Sequence, residues 1–140
     1  MVKILFFALF SLSLLTAATC QFDFRETITG TGDIVKQEIT LEALKGVNLG
    51  FAGDVILTHG STQKIVLEGQ QNVLDNIKRE VKNGVWVIYF IKDVREAKNV
   101  VVHVTLPTLE YAAVSGSGDI TSTNKFPNLD EVKLHVSGSG

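Results

Sequence analysis

The chain has 140 residues, 45% of them hydrophobic, with a formal charge of −2 and a single cysteine. That composition provides for one domain with a real core. Acids and bases are interspersed, so no basic stripe exists to neutralise phosphates, and nucleic acid is excluded as a partner. A lone cysteine excludes an internal disulfide framework.

The first twenty residues have the form of a secretory signal. Lys3 supplies the basic start and residues 4–15 an apolar-and-Ser run of about twelve, too short for the roughly twenty of a spanning helix. Cleavage after Ala18 or Cys20 suits the small-residue rule, leaving a mature domain over 21–140 and a charge of about −3 once Lys3 is removed. Cys20 also stands where a lipoprotein signal carries its acylated residue. Ala17 and Thr19 occupy the positions where Leu and a small residue are usual, so a discarded cysteine is the favoured reading, and membrane attachment follows only from lipidation at Cys20.

Beyond the signal, apolar residues alternate or come in short β-branched runs bounded by Gly, Asn, Asp and Pro, the strand pattern. Strands are predicted over 34–40, 47–51, 54–59, 64–68, 77–82, 85–91, 100–106, 111–114 and 132–136. Only 72–82 holds enough helix formers to compete. Asn83-Gly84, between apolar runs, predicts a type I′ hairpin turn, which needs positive φ at both central residues. Pro107 and Pro127 mark strand exits, since proline cannot donate to a ladder.

A repeat runs through the mature chain. Gly-Asp followed by a β-branched residue occurs at Gly32-Asp33, Gly53-Asp54 and Gly118-Asp119, and Val114-Ser-Gly-Ser-Gly118 returns letter for letter as Val136-Ser-Gly-Ser-Gly140. The glycine spacings of 21, 65 and 22 fit a period near 22, with Asn76 and Asn99 near the two vacant places. The predicted fold is therefore all-β, a parallel β-solenoid or β-helix of about 22-residue coils with at least one antiparallel hairpin; a β-sandwich is the alternative. Gly32, Asp33, Gly53, Asp54, Gly116, Gly118, Asp119, Gly138 and Gly140 are read as structural turns, glycine serving positive φ or close backbone approach. The sequence stops one residue before the next expected Asp, which predicts truncation of a longer protein at its C-terminus.

Gly30-Thr-Gly-Asp-Ile34, Leu44-Lys-Gly-Val-Asn-Leu-Gly50 leading into Gly53-Asp-Val-Ile-Leu57, the Asn-Gly segment 77–85 and Val114-Ser-Gly-Ser-Gly-Asp-Ile120 together carry a family resemblance. In order and spacing the chain resembles the auto-transporter adhesin head GIN domain proteins of Bacteroidetes. The resemblance implies an exported, β-helix-like envelope domain, brings no catalytic residues and no cofactor, and implies further Gly-Ser-Gly-Asp repeats after this point.

Each candidate site has a plain structural alternative. Calcium binding at the Gly-Asp turns is disfavoured because one carboxylate per coil makes a poor oxygen shell. Polysaccharide cleavage by Asp33, Asp54 and Asp119 is the rival function, but a catalytic pair occurs once, whereas these recur with the repeat. His59, His103 and His135 lack metal-ligand spacing, and Ser115, Ser117, Ser137 and Ser139 form no nucleophile elbow. Trp86 and Phe90 share one face of a strand and Tyr89 the other, so core packing of one set is the favoured reading; Trp86 and Tyr89 are the candidates if a ligand is contacted, the expected partners being glycan or another envelope protein. The expected function is a non-catalytic exported binding or scaffolding module, placed in the periplasm, at the outer surface or outside the cell.

Overall fold

The computed structural model describes residues 25–127 and 129–140. The expected signal over 1–20, with Cys20, lies outside the described residues. In chain order the elements are β1 (Thr27–Thr29), β2 (Ile34–Ile39), β3 (Gly46–Leu49), β4 (Asp54–His59), β5 (Lys64–Gln70), the single turn of helix α1 (Gln71–Leu74), β6 (Val81–Lys82), β7 (Val85–Ile88), β8 (Asp93–Arg95), β9 (Val101–Leu106), β10 (Tyr111–Val114), β11 (Asp119–Ser122) and β12 (Lys133–Val136). The chain is thus nearly all β, and no described helix is long and apolar enough to cross a membrane.

Alternation places the strands. β4 and β9 bury every second residue, Val55 and Leu57 in one and Val102, Val104 and Leu106 in the other, as period-2 side chains on a half-covered sheet must. Two five-stranded sheets result, ordered β12-β10-β3-β7-β6 and β11-β4-β9-β5-β2, with β1 and β8 forming a small third sheet. The two large sheets are mixed. β10 pairs β3 and β12 in parallel, β3 pairs β7 in parallel, and β4 pairs β9 and β11 in parallel, while β2–β5, β5–β9 and β6–β7 are antiparallel.

The inner faces of both large sheets feed one core, in which Trp86, Leu49, Ile65, Leu67, Leu74, Ile77 and Ile88 are among the largest fully buried side chains. Burial of that kind is the main favourable contribution to folding.

The Asn83-Gly84 turn has φ of +53° and +76° and joins antiparallel β6 to β7, the hairpin that the dipeptide predicts. The segment 77–82 is less regular than expected: Ile77 makes one antiparallel bridge to Phe90, and only Val81 and Lys82 form a strand. Of the helical alternative over 72–82 only 72–74, the last three residues of α1, are helical.

The mixed strand order departs from a parallel solenoid of regular 22-residue coils. β3 lies between β7 and β10, and β9 lies between β4 and β5, parallel to the first and antiparallel to the second. After β4 the chain reverses, β5 pairs antiparallel with β2, and β9, more than forty residues further on, enters between β4 and β5. Gly32-Asp33 is correspondingly removed from the other Gly-Asp turns, because β2, which it opens, is antiparallel to β5 and makes no ladder with β4.

Buried amides fasten the irregular parts. Asn76, nearly buried, donates from Nδ2 to the Lys92 carbonyl at 2.8 Å and accepts from the Lys92 N–H at 2.9 Å, and buried Gln70 joins the Gly32 carbonyl to the Lys98 N–H. Removing a side chain that satisfies both backbone polar groups of one residue leaves them without partners. Asn76→Ala is therefore expected to cost about 2 kcal/mol, measured as a lower urea midpoint at unchanged m.

Candidate functional site

Three four-residue corners leave one large sheet at the same level: Gly50-Phe-Ala-Gly53 after β3, Ser115-Gly-Ser-Gly118 after β10 and Ser137-Gly-Ser-Gly140 after β12. Register aligns them, since Leu49 faces Val114, Val114 faces Val136, and Asp54 faces Asp119 across the other sheet. Backbone bonds climb the stack, from the Ser115 N–H to the Leu49 carbonyl at 2.9 Å, from Asp119 to Gly53 at 3.1 Å and from Ser139 to Gly116 at 3.0 Å.

Glycine is demanded here by close approach. A Cβ on Gly118 would meet the Gly53 carbonyl oxygen, one on Gly138 that of Gly116 and one on Gly140 that of Gly118, all inside contact distance. Positive φ, the other expected reason, occurs among glycines only at Gly32 and Gly84 within the described residues.

Below the Gly53 corner the step is taken by 99–100. The Asp54 N–H donates to the Val100 carbonyl at 2.9 Å, and Asn99 Nδ2 donates to Asp54 Oδ2 at 2.7 Å. Of the two asparagines assigned to vacant places in the repeat, Asn99 joins the corner and Asn76 does not.

The aromatic pair divides as alternation requires. Trp86 is wholly buried and its Nε1 donates to the Lys78 carbonyl at 2.8 Å, so it faces the core and not a ligand. Tyr89 remains at the surface beside a shallow recess of about 100 Å³ lined by Glu80, Lys82 and Val87. A larger open recess of about 470 Å³ lies between 108–111 and 129–133, with Leu109 at its base and Glu110, Asp130, Glu131 and Lys133 around it. Sequence reasoning missed it because two segments about twenty residues apart build it.

Among the described residues no group of three or more His, Cys, Asp or Glu is gathered to hold a metal. The His59 backbone exchanges hydrogen bonds with the Asn124 side chain, and its ring meets Phe126 edge-on at 5.6 Å. His135 is exposed on β12. Ser115 Oγ donates to Asn48 Oδ1 at 3.0 Å.

His103 Nε2 lies 3.1 Å from Glu68 Oε2, and Lys36 Nζ lies 3.3 Å from the same oxygen. The hydrogen bond from His103, then that from Lys36, holds the Glu68 carboxyl below its ordinary value. A carboxylate whose pKa is depressed by folding stabilises the fold above its unfolded value, about 4.3, and that contribution is lost as pH falls through the lower folded value. Glu68→Gln is expected to remove this part of the acid limb, so that urea midpoints of wild type and variant converge as the pH falls below about 4.

Comparison with known proteins places the fold. A putative adhesin of known structure from Bacteroides fragilis NCTC 9343 superposes with a TM-score of 0.70 at 20% identity, over 79% of this chain and 52% of its own. A putative adhesin from Parabacteroides merdae ATCC 43184 gives 0.71 at 17% identity, over 79% and 47%. A putative lipid binding protein from Parabacteroides distasonis ATCC 8503 gives 0.62 at 19% identity, over 79% and 49%. The chain thus spans about half the length of these solved structures. No curated protein matches. The family model described as putative auto-transporter adhesin, head GIN domain, matches residues 43–140, which takes in every stacked corner, and the chain belongs to that family.

Proposed function

We propose that the chain is a non-catalytic, exported module of the bacterial envelope, presenting a stiff β-surface to a glycan or to another envelope protein. In this reading residues 1–20 are a signal, 21–140 form one domain, and the parallel ladders β7-β3-β10-β12 and β9-β4-β11 are the coils of a short solenoid, closed at one end by the antiparallel β2–β5 and β6–β7 pairs. Family membership supports the adhesin-like role, and the parallel registers support the coils.

The observation that carries the non-catalytic part is the placement of the recurrent acid. Asp54 and Asp119 are register partners on neighbouring strands, and Asp54 is tied to Asn99. Acids that recur at a stacked backbone corner serve the corner. A hydrolase or lyase would need one carboxylate pair set across a substrate cleft.

The test exposes purified 21–140 to a glycan array and to acidic polysaccharides. Retention on the array without depolymerisation is expected, with Asp54→Asn and Asp119→Asn lowering the melting temperature and little else. Depolymerisation that disappears in either variant while its circular dichroism stays native would overturn the proposal. The signal is checked by mass spectrometry of the mature N-terminus, which also reports whether Cys20 carries lipid; a retained residue 1 would refute export.

A further inference from the structure

β2 is the outermost strand of its sheet and is paired along one edge alone, to β5. Among the described residues no backbone group of 34–39 bonds outside that ladder, so the other edge presents N–H and C=O groups along the whole strand. Natural sheet edges are guarded by a proline, a bulge, a very short strand or a charge turned inward. β2 has none of these. Its register with β5 is unbroken from Ile34 to Ile39, and its inward positions are Val35, Gln37 and Ile39, opposite Gly69, Leu67 and Ile65. Its two charges, Lys36 and Glu38, stand on the outer face. By contrast β6, a free edge of the other large sheet, has only two residues.

We infer that the free edge of β2 is the interface with a second copy of this chain, the two β2 strands pairing antiparallel about a two-fold axis centred on Gln37. The five-stranded sheets of the two copies then run into one ten-stranded sheet, with about six new main-chain bonds at its middle. Such an interface is isologous, each strand meeting its own surface. It also sets two outer faces side by side, so a ligand that repeats along a surface is held at two points.

Charge and alternation select both the occupant and the register. An antiparallel pair sets opposite residues on one face of the sheet, so only registers centred on a residue keep inner positions against inner positions. Centring on Lys36 opposes Lys36 to itself, and centring on Glu38 opposes Glu38 to itself. Centres nearer either end of the strand shorten the ladder. Centring on Gln37 opposes Lys36 to Glu38 twice, Val35 to Ile39 twice and Gln37 to Gln37. Each of these pairs is favourable: opposite charges, two apolar side chains, and an amide that both donates and accepts.

The neighbouring strand suits the same arrangement. Lys36 already pairs with Glu68 at 3.3 Å and Glu38 with Lys64 at 3.2 Å. Across the axis the outer face then reads Glu68, Lys36, Glu38 of the second copy and Lys64 of the second copy, with the sign alternating at each step. On the inner face Val35 is 37% exposed, and Ile39 of the second copy would lie against it. A strand of another sequence would have to bring the same order of charges, amide and apolar residues; a second copy brings it by identity.

Light scattering and sedimentation of the mature chain test this. A dimer is expected, with slowed amide exchange at 34–39. Gln37→Glu should raise its dissociation constant roughly tenfold or more, because two carboxylates then face each other at the axis. Within one chain Arg79 Nη2 donates to Gln37 Oε1 at 3.5 Å, so a carboxylate is accommodated there and circular dichroism should stay native. Lys36→Glu and Glu38→Lys should each weaken self-association, and an equal mixture of the two should restore it, since each then meets opposite charge at both positions. Both side chains are exposed, so neither variant should unfold. A monomer at every concentration, with or without protected amides at 34–39, would overturn the inference. So would a dimer that Gln37→Glu leaves intact, or a mixture that associates no better than its components. The glycan array is run on the Gln37→Glu variant as well, so the two proposals fail separately.

Discussion

Trp86→Ala is expected to destabilise the chain by about 4 kcal/mol, a large share of the 5–15 kcal/mol that holds a domain of this size. Trp86 heads the largest fully buried side chains, lies between Val47 of β3 and Val81 of β6 in the ladders, and has its only polar atom bonded to the Lys78 carbonyl. Truncation removes the transfer contribution, opens a cavity in a core that both sheets share, and leaves the part-buried Lys78 carbonyl without its donor. Trp86→Phe separates these effects. It retains most of the apolar volume and loses the N–H, so a cost of about 2 kcal/mol is expected. Because Trp86 is the only tryptophan, the comparison is made by circular dichroism in urea, where equal m and shifted midpoints isolate the change in stability. Equal costs for the two variants would mean that the Lys78 bond dominates.

What could be read from the residues, and what could not, follows from the range of the interactions involved. Alternation is local, so most strands were legible, and the Asn83-Gly84 turn, whose requirement for positive φ is local too, was legible with its geometry. The same alternation separated Trp86 from Tyr89 but could not say which face was inside; that depends on β3 and β6 lying to either side. β1 and β8 are three residues each and largely polar, and they pair across more than sixty positions, so nothing in either segment announces the other.

The letters of the repeat recur both where the corners lie in register and where they do not. Gly53-Asp54, Gly118-Asp119 and the corner ending in Gly140 lie in one column, but Gly32-Asp33 shares only their letters, because a dipeptide does not state the direction of the strand that follows it. Likewise a period near 22 gives the spacing of such corners and not which strand lies beside which. The insertion of β9 between β4 and β5 joins segments more than forty residues apart, which no local pattern states. The clamps by Gln70 and Asn76 and the Glu68 cluster depend on contacts sixteen to thirty-eight residues apart, beyond any motif.

The contrast between two glycines gives the sharpest check on the column. Gly118→Ala is expected to cost about 3 kcal/mol, because its Cβ would lie against the carbonyl oxygen, nitrogen and carbonyl carbon of Gly53, and none of these is the movable end of a side chain. Relief would require β11 to move off β4, with loss of the bond from the Asp119 N–H to the Gly53 carbonyl and of the Asp54–Asp119 register. Gly32→Ala tests the other use of glycine. Gly32 has φ of +82° but nothing within 4 Å of a built Cβ, so its cost is conformational alone, about 1 kcal/mol. Both belong to Gly-Asp dipeptides, and a turn-propensity account would give them similar penalties. Urea midpoints that rank Gly118→Ala well below Gly32→Ala, together with accelerated amide exchange at 119–122 in the first variant alone, are the expected result. The reverse ranking would mean that backbone conformation, and not layer-on-layer contact, dictates where this family places its glycines.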